Sequence, residues 1–156
     1  MKGDNEVLAA LNELLTAELT AINQYYAHFK MCANWGFAAL AAKKREEAME
    51  EMRHADKLMD RILYLEGVPN MQRLGPVKIG EDPIEQHRLD LALEKTAVDR
   101  LNRFIELFRK KGDTGSRLLA EAILKDEETA VDWLETQLSL VKDLGKEHYL
   151  AQQMHE

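Results

Sequence analysis

The sequence predicts an all-α protein: a four-helix bundle with one long crossover and a short fifth helix at the C-terminus. Three observations carry that prediction. Apolar residues recur at three- and four-residue spacing through four long stretches. All three prolines and three of the eight glycines fall between Gly67 and Pro83. The chain is 31% charged and 46% hydrophobic, the balance of helices with one wet face. At 156 residues, one domain spanning 1–156 is expected, burying roughly two-thirds of its surface.

The first helix is expected from Asn5 to about Asn34. Its apolar stripe runs through Val7, Leu11, Leu15, Ile22, Tyr25 and Phe29, with Asp4 or Asn5 as N-cap. Glu18 lies on that stripe, and Asn34-Trp35-Gly36 breaks the helix. The second helix is expected from about Phe37 to Leu65, closed by Gly67 and Pro69. Its inward line reads Ala41, Ala48, Glu51, Ala55, Leu58, Ile62 and Leu65, with His54 beside it. Met52 points about 100° away.

The stretch from Gly67 to Pro83 is long for a connection inside a compact domain. It makes sense if the second and third helices are parallel. A helix of about 28 residues spans about 42 Å, and about sixteen extended residues reach about 50 Å. The third helix starts at Pro83 and places Ile84, His87, Leu91, Glu94, Val98, Leu101, Ile105 and Phe108 inward. Lys110-Lys111-Gly112-Asp113 stops it in a tight turn, so the fourth helix returns antiparallel. That helix, from about Thr114 to Leu144, turns Ala120, Ile123, Glu127, Ala130, Leu134 and Val141 inward. Gly145 ends it, and Lys146–Gln153 forms a short last helix.

Four glutamates, Glu18, Glu51, Glu94 and Glu127, thus sit on the core stripes of four different helices, near mid-length. Buried carboxylates cost several kcal/mol each and repel one another. They are protonated, paired with buried cations, or bound to metal. Few basic residues lie on the inward lines (Lys44 is near one end), so metal is the economical explanation. Glu51-x-x-His54 adds an imidazole on the same face, and a carboxylate–imidazole set suits iron or manganese, with zinc a competitor.

The residues resemble the bacterioferritin family over essentially the whole chain. The likeness rests on Met1-Lys2-Gly3-Asp4, Ile22-Asn23-Gln24-Tyr25, Glu51-Met52-x-His54-Ala55-Asp56, Leu65-Glu66-Gly67-x-Pro69-Asn70 and Asp132-Trp133-Leu134-Glu135-Thr136-Gln137, together with Glu18 and Glu94. The resemblance implies a ferritin-like fold, a 24-subunit cage holding ferric mineral, haem b at two-fold interfaces and a di-iron ferroxidase centre in each subunit. Carried over, Glu18 and His54 hold one iron, Glu94 the other, and Glu51 and Glu127 bridge. Met52 is the axial haem ligand, shared with its symmetry mate. Tyr25 resembles the redox-active tyrosine beside the irons; as a residue it reads equally well as a core phenol bonded to a carboxylate. Glu46 and Glu50 stand where family members can hold iron on the cavity wall, though an acidic solvated face is their simpler reading.

One position departs from the pattern. Three residues after Glu127 the family has histidine, and here Ala130 stands. The expectation is an asymmetric centre with one iron position nearly complete and the other weak. Two readings follow: an iron-storing ferroxidase subunit, impaired by Ala130, or a haem-binding structural subunit that co-assembles with a ferroxidase-competent one. The resemblance also implies a bacterioferritin-associated ferredoxin as electron donor.

The remaining composition narrows the alternatives. A net charge of −7 argues against nucleic acid or an anionic membrane as the main partner. A single cysteine, Cys32, excludes an intrachain disulfide and a rubredoxin-type iron site, and Cys32 and Trp133 read as packing residues. Without an apolar signal core, the expected compartment is the cytoplasm.

Overall fold

The computed structural model describes residues 1–156 and contains five helices. They are α1 (Asn5–Asn34), α2 (Ala38–Tyr64), α3 (Pro83–Lys110), α4 (Thr114–Leu144) and α5 (Lys146–Ala151). The starts are chemically marked. Asp4 and Asp82 each accept two backbone N–H bonds from the first turn of α1 and α3, and Asp113 caps α4 through Ser116. Pro83 occupies the first turn of α3, where no N–H is needed. Gly145, at φ 83°, supplies the left-handed turn between α4 and α5. At the end of α2 the positive φ falls on Glu66, and Gly67 serves a close approach instead, since a side chain there would meet Leu8 at 2.6 Å.

Helix α1 packs on α2 and α3 on α4. The ends fix the directions. Lys111, just past α3, pairs with Asp4 and Glu6 at the start of α1. Arg61, near the end of α2, binds Asp113 at the start of α4 at 2.6 Å. Helices α2 and α3 are therefore parallel, and the crossover runs the length of the bundle.

That crossover has no regular structure, yet it is tied down along its length. Polar side chains on one stripe of α1, spaced in multiples of four residues, capture its backbone. Asn12 accepts from the N–H of Asn70 (2.8 Å), Thr20 from Gly75 (2.9 Å), Gln24 from Lys78 (3.2 Å) and His28 from Gly80 (3.0 Å). The stripe thereby supplies acceptors to main-chain donors that no ladder would satisfy.

The core divides in two. One apolar block joins Leu11, Leu15, Leu58, Ile62, Leu101, Phe108 and Ile123 at the end where α1 begins. Truncating any of its leucines to alanine would cost about 2–5 kcal/mol. A smaller block around Cys32, Leu40, Ile84 and Tyr149 fills the other end, docking α5. Between them lies a small cluster of Ala21, Tyr25 and Ala48, and the polar centre occupies this middle level. Six positions expected on the apolar stripes, Ile22, Phe29, Leu91, Val98, Ile105 and Val141, are half-buried. No helix is long and apolar enough to cross a membrane.

Candidate metal centre

Glu18 from α1, Glu51 and His54 from α2, Glu94 from α3 and Glu127 from α4 are all buried at mid-bundle. His54 Nδ1 lies 3.5 Å from Glu18 Oε2, 3.5 Å from Glu127 Oε1 and 3.9 Å from Glu51 Oε1. None of these approaches has hydrogen-bonding geometry. The buried side-chain atoms without a hydrogen-bond partner are Glu18 Oε2, Glu51 Oε1, His54 Nδ1, Glu94 Oε2 and Glu127 Oε1. In a chain that satisfies its other buried polar side chains, four such atoms converging on one place, with Glu94 Oε2 as a fifth in the same buried level, point to a shared partner. Ligands about 2.1 Å from a common ion stand about 3.0–3.4 Å apart at octahedral to tetrahedral angles, close to the separations seen here. Glu18, Glu51, His54 and Glu127 could hold one ion, their ligand atoms all lying within 4.8 Å of one another.

The electrostatics agree. Burial, reinforced by the Glu94 charge, pushes the Glu18 carboxyl up to about 7, a rise that the positive charge of Arg100 opposes. Burial, and then their mutual repulsion, raise Glu51, Glu94 and Glu127 well above the usual carboxylate range. Without a cation the cluster holds protons in place of charge.

Glu94 stands apart from the group of four. The Tyr25 hydroxyl donates to its Oε1 at 2.8 Å, leaving Oε2 free. Burial and the Glu94 charge hold the Tyr25 phenol well above its ordinary value, so it remains a donor. Ala130 is buried on the line of Glu127 and Leu134.

Asp126 was not legible as part of this site. Its Oδ2 lies 2.9 Å from His54 Nε2. With the Nε2 proton donated to Asp126, the Nδ1 lone pair faces the three glutamates, the arrangement by which outer carboxylates orient ligating histidines. Burial opposes charging of this ring, but Glu51 and Asp126 outweigh it and raise its proton affinity. The only sequence signal was adjacency to Glu127. Glu50 completes a second grouping with His54 and Asp126 on the outer side of the ring, both carboxylates being half-buried. Glu46 is exposed.

A ferritin-like domain model matches residues 8–144. Bacterioferritin BfrA of Mycobacterium tuberculosis is 53% identical over 152 residues, covering 97% of this chain and 96% of that one. The bacterioferritin of Streptomyces coelicolor is 51% identical over 151 residues, covering 97% and 90%. The solved structure of the M. tuberculosis bacterioferritin superposes with a TM-score of 0.98 at 52% identity, over 99% of this chain and 98% of that one. The chain belongs to the bacterioferritins. Its fold is the ferritin-like bundle, and its family is one of iron-storage proteins that form cages.

This bacterioferritin carries a second buried polar cluster, which its sequence did not announce. Asp90 accepts from Gln24 Nε2 (2.9 Å), from His28 Nδ1 (2.9 Å) and from Lys44 Nζ (2.6 Å). Since His28 Nε2 accepts the Gly80 N–H, its proton sits on Nδ1. Lys44 also donates to His87 Nδ1 (3.0 Å), His87 Nε2–H to the Tyr149 hydroxyl (2.9 Å), and Tyr149 to Gln137 (2.6 Å). Burial alone would raise the Asp90 carboxyl, but Lys44 and His28 hold it down at about 2. Burial and the Lys44 charge push His87 down to about 2, so that ring stays neutral. Every charge in this cluster is paired, and His87 is committed away from the metal centre. Cys32 is buried there too, its thiol pushed up to about 11 by burial, and donates to Gln86.

Met52 takes no part in either cluster. It projects from the outer face of α2, 44% exposed.

Proposed function

We propose that the chain is an iron-storage cage subunit, residues 1–156 acting as one ferritin-like unit, that binds Fe²⁺ at the mid-bundle centre, supports its oxidation and stores the ferric product. The observation that carries this reading is the convergence of unpartnered buried atoms on Glu18, Glu51, His54 and Glu127, with a fifth on Glu94. Fe²⁺ is the substrate. On binding it displaces the protons that the buried carboxyls hold. Two Fe²⁺ give one electron each to O₂, which takes up two protons and becomes hydrogen peroxide. Glu18, Glu51, His54 and Glu127 form the stronger position. Glu94, with the bridging Glu51 and Glu127, forms a weaker one, because Ala130 brings no imidazole. The paired step is therefore slower than mononuclear binding alone would suggest. Tyr25 holds Glu94 in place and stands within reach of the metal as an electron donor.

Haem b would be held between two copies of the chain by Met52 of each. An exposed thioether on an outer helix face fits that role. Bound there, haem would supply one-electron transfer chemistry. The other assignments of the reading are a 24-mer, a cytoplasmic setting, a bacterioferritin-associated ferredoxin as donor, and no nucleic-acid or membrane partner.

A second reading rests on Ala130 combined with Met52. In it the chain is a haem-binding structural subunit with little ferroxidase activity, assembled with a competent second subunit. The two separate on anaerobic Fe²⁺ titration of the purified protein followed by O₂, compared with Ala130→His. The first reading predicts slow oxidation that Ala130→His accelerates. A fast phase at two irons per subunit in the unaltered chain overturns the impaired centre, and oxidation no faster than background favours the second reading. In parallel, Met52→Leu should abolish the haem absorption band; an unchanged band refutes the ligand assignment.

A further inference from the structure

A sizeable groove lies apart from the metal centre. It encloses about 790 Å³ between α1, α3 and the crossover, a volume that suits a small organic ligand. Arg73 and Lys78 reach its wall from the crossover and Arg100 from α3, against a single carboxylate, Glu13. None of the three cations pairs with a carboxylate anywhere in the chain. Arg100 is half-buried, so it forgoes much of its hydration without gaining a partner. On a chain of net charge −7, this is a local reversal of sign.

The cavity is also preformed. The crossover is pinned to α1 on either side of Arg73, and the backbone N–H groups of Arg73 and Lys78 are themselves bonded, to Asn70 and Gln24. Two of the three cations therefore stand on main chain that does not need ordering when a ligand arrives. Thr16 and Thr96 add hydroxyl groups to the lining.

We infer that this groove is a binding site for a small, multiply charged oxyanion, a polycarboxylate or a phosphate, held by Arg73, Lys78 and Arg100. Guanidinium groups bind carboxylate and phosphate oxygens through paired, charge-assisted bonds, and the lysine adds a point charge. Because Arg100 also acts on Glu18, the groove backs directly on the helix pair that carries Glu18 and Glu94.

Calorimetric titration of the assembled, metal-free protein with citrate, and separately with inorganic phosphate, tests the inference at low ionic strength. Saturable binding of one anion per chain is expected. It should weaken about tenfold or more in Arg100→Gln and in Lys78→Gln, the loss of one charge-assisted contact. Arg88→Gln, an exposed cation on the same helix outside the groove, should leave it unchanged. Which of the two anions binds identifies the source. If neither saturates, or if Arg88→Gln weakens binding as much as Arg100→Gln, the site is refuted. Circular dichroism confirms that the variants fold.

Discussion

The carboxylates of the metal centre should make the metal-free protein less stable, and Glu18→Gln measures by how much. The Glu18 carboxyl is raised from its ordinary 4.5 to about 7, chiefly by burial. A group whose folded pKa exceeds its unfolded one destabilises the fold above both values and has no effect below both. A rise of about two and a half pH units, at 1.36 kcal/mol each, amounts to about 3 kcal/mol at pH 8. At pH 5 it is below about 1 kcal/mol. Glutamine keeps the shape and removes the charge, so the variant should unfold about 6–12 °C higher than the parent at pH 8. At pH 5 the two should nearly coincide. Scanning calorimetry of chelator-treated protein at both pH values reads this directly. Adding Fe²⁺ under anaerobic conditions should reverse the order, because the parent alone has its full ligand set. Equal stability of parent and variant at pH 8, or an equal gain at pH 5, would refute the reasoning: Glu18 would then be solvated or already paired.

The remaining outcomes concern the Lys44–Asp90 cluster and the outer carboxylate of the metal centre. Asp90→Asn and Lys44→Met should each cost about 3–5 kcal/mol, since each leaves its partner charge buried alone. The double variant should cost much less than their sum, and additivity in denaturant midpoints would rule out the pair as a unit. Asp90 has its pKa lowered to about 2, so its contribution is intact above pH 4 and disappears as pH falls towards 2; Lys44→Met should lack that acid limb. Asp126→Ala should weaken Co²⁺ binding at the centre about 10–100-fold by freeing the His54 ring, with little effect on melting. Unchanged affinity would mean that packing alone orients the imidazole.

The helices and the carboxylate centre were legible for the same reason: both depend on spacing along one helix. The cap at Asp4, the proline at the start of the third helix and glycines at the stops marked the ends, and a glutamate on an apolar stripe is conspicuous whichever helix it faces. The long crossover followed from length and proline placement alone. The Lys44–Asp90 cluster was hidden because its members become core only when the crossover and α5 cover them. Gln24 and His28 are acceptors for main chain more than fifty residues away, and His87 is completed by Tyr149. Asp126 was obscured differently. It flanks the core line, and it serves the centre through the far nitrogen of a histidine already accounted for.

The ladder on α1 also bears on how the molecule opens. Coil segments ordinarily detach from a fold at little cost and exchange their amide protons quickly. Here the Gly80 N–H rests on His28, which rests on Asp90, which holds Lys44 and, through it, His87 and the last helix. Lifting that end of the crossover strips a donor from a chain of bonds that touches every helix. The amide of Gly80, in a stretch without secondary structure, should thus exchange as slowly as the bundle core, while neighbouring Val77 and Ile79 exchange freely. The segment that looks most like a loose strap behaves as part of the cooperative unit, and its release and the unlocking of the bundle are one event.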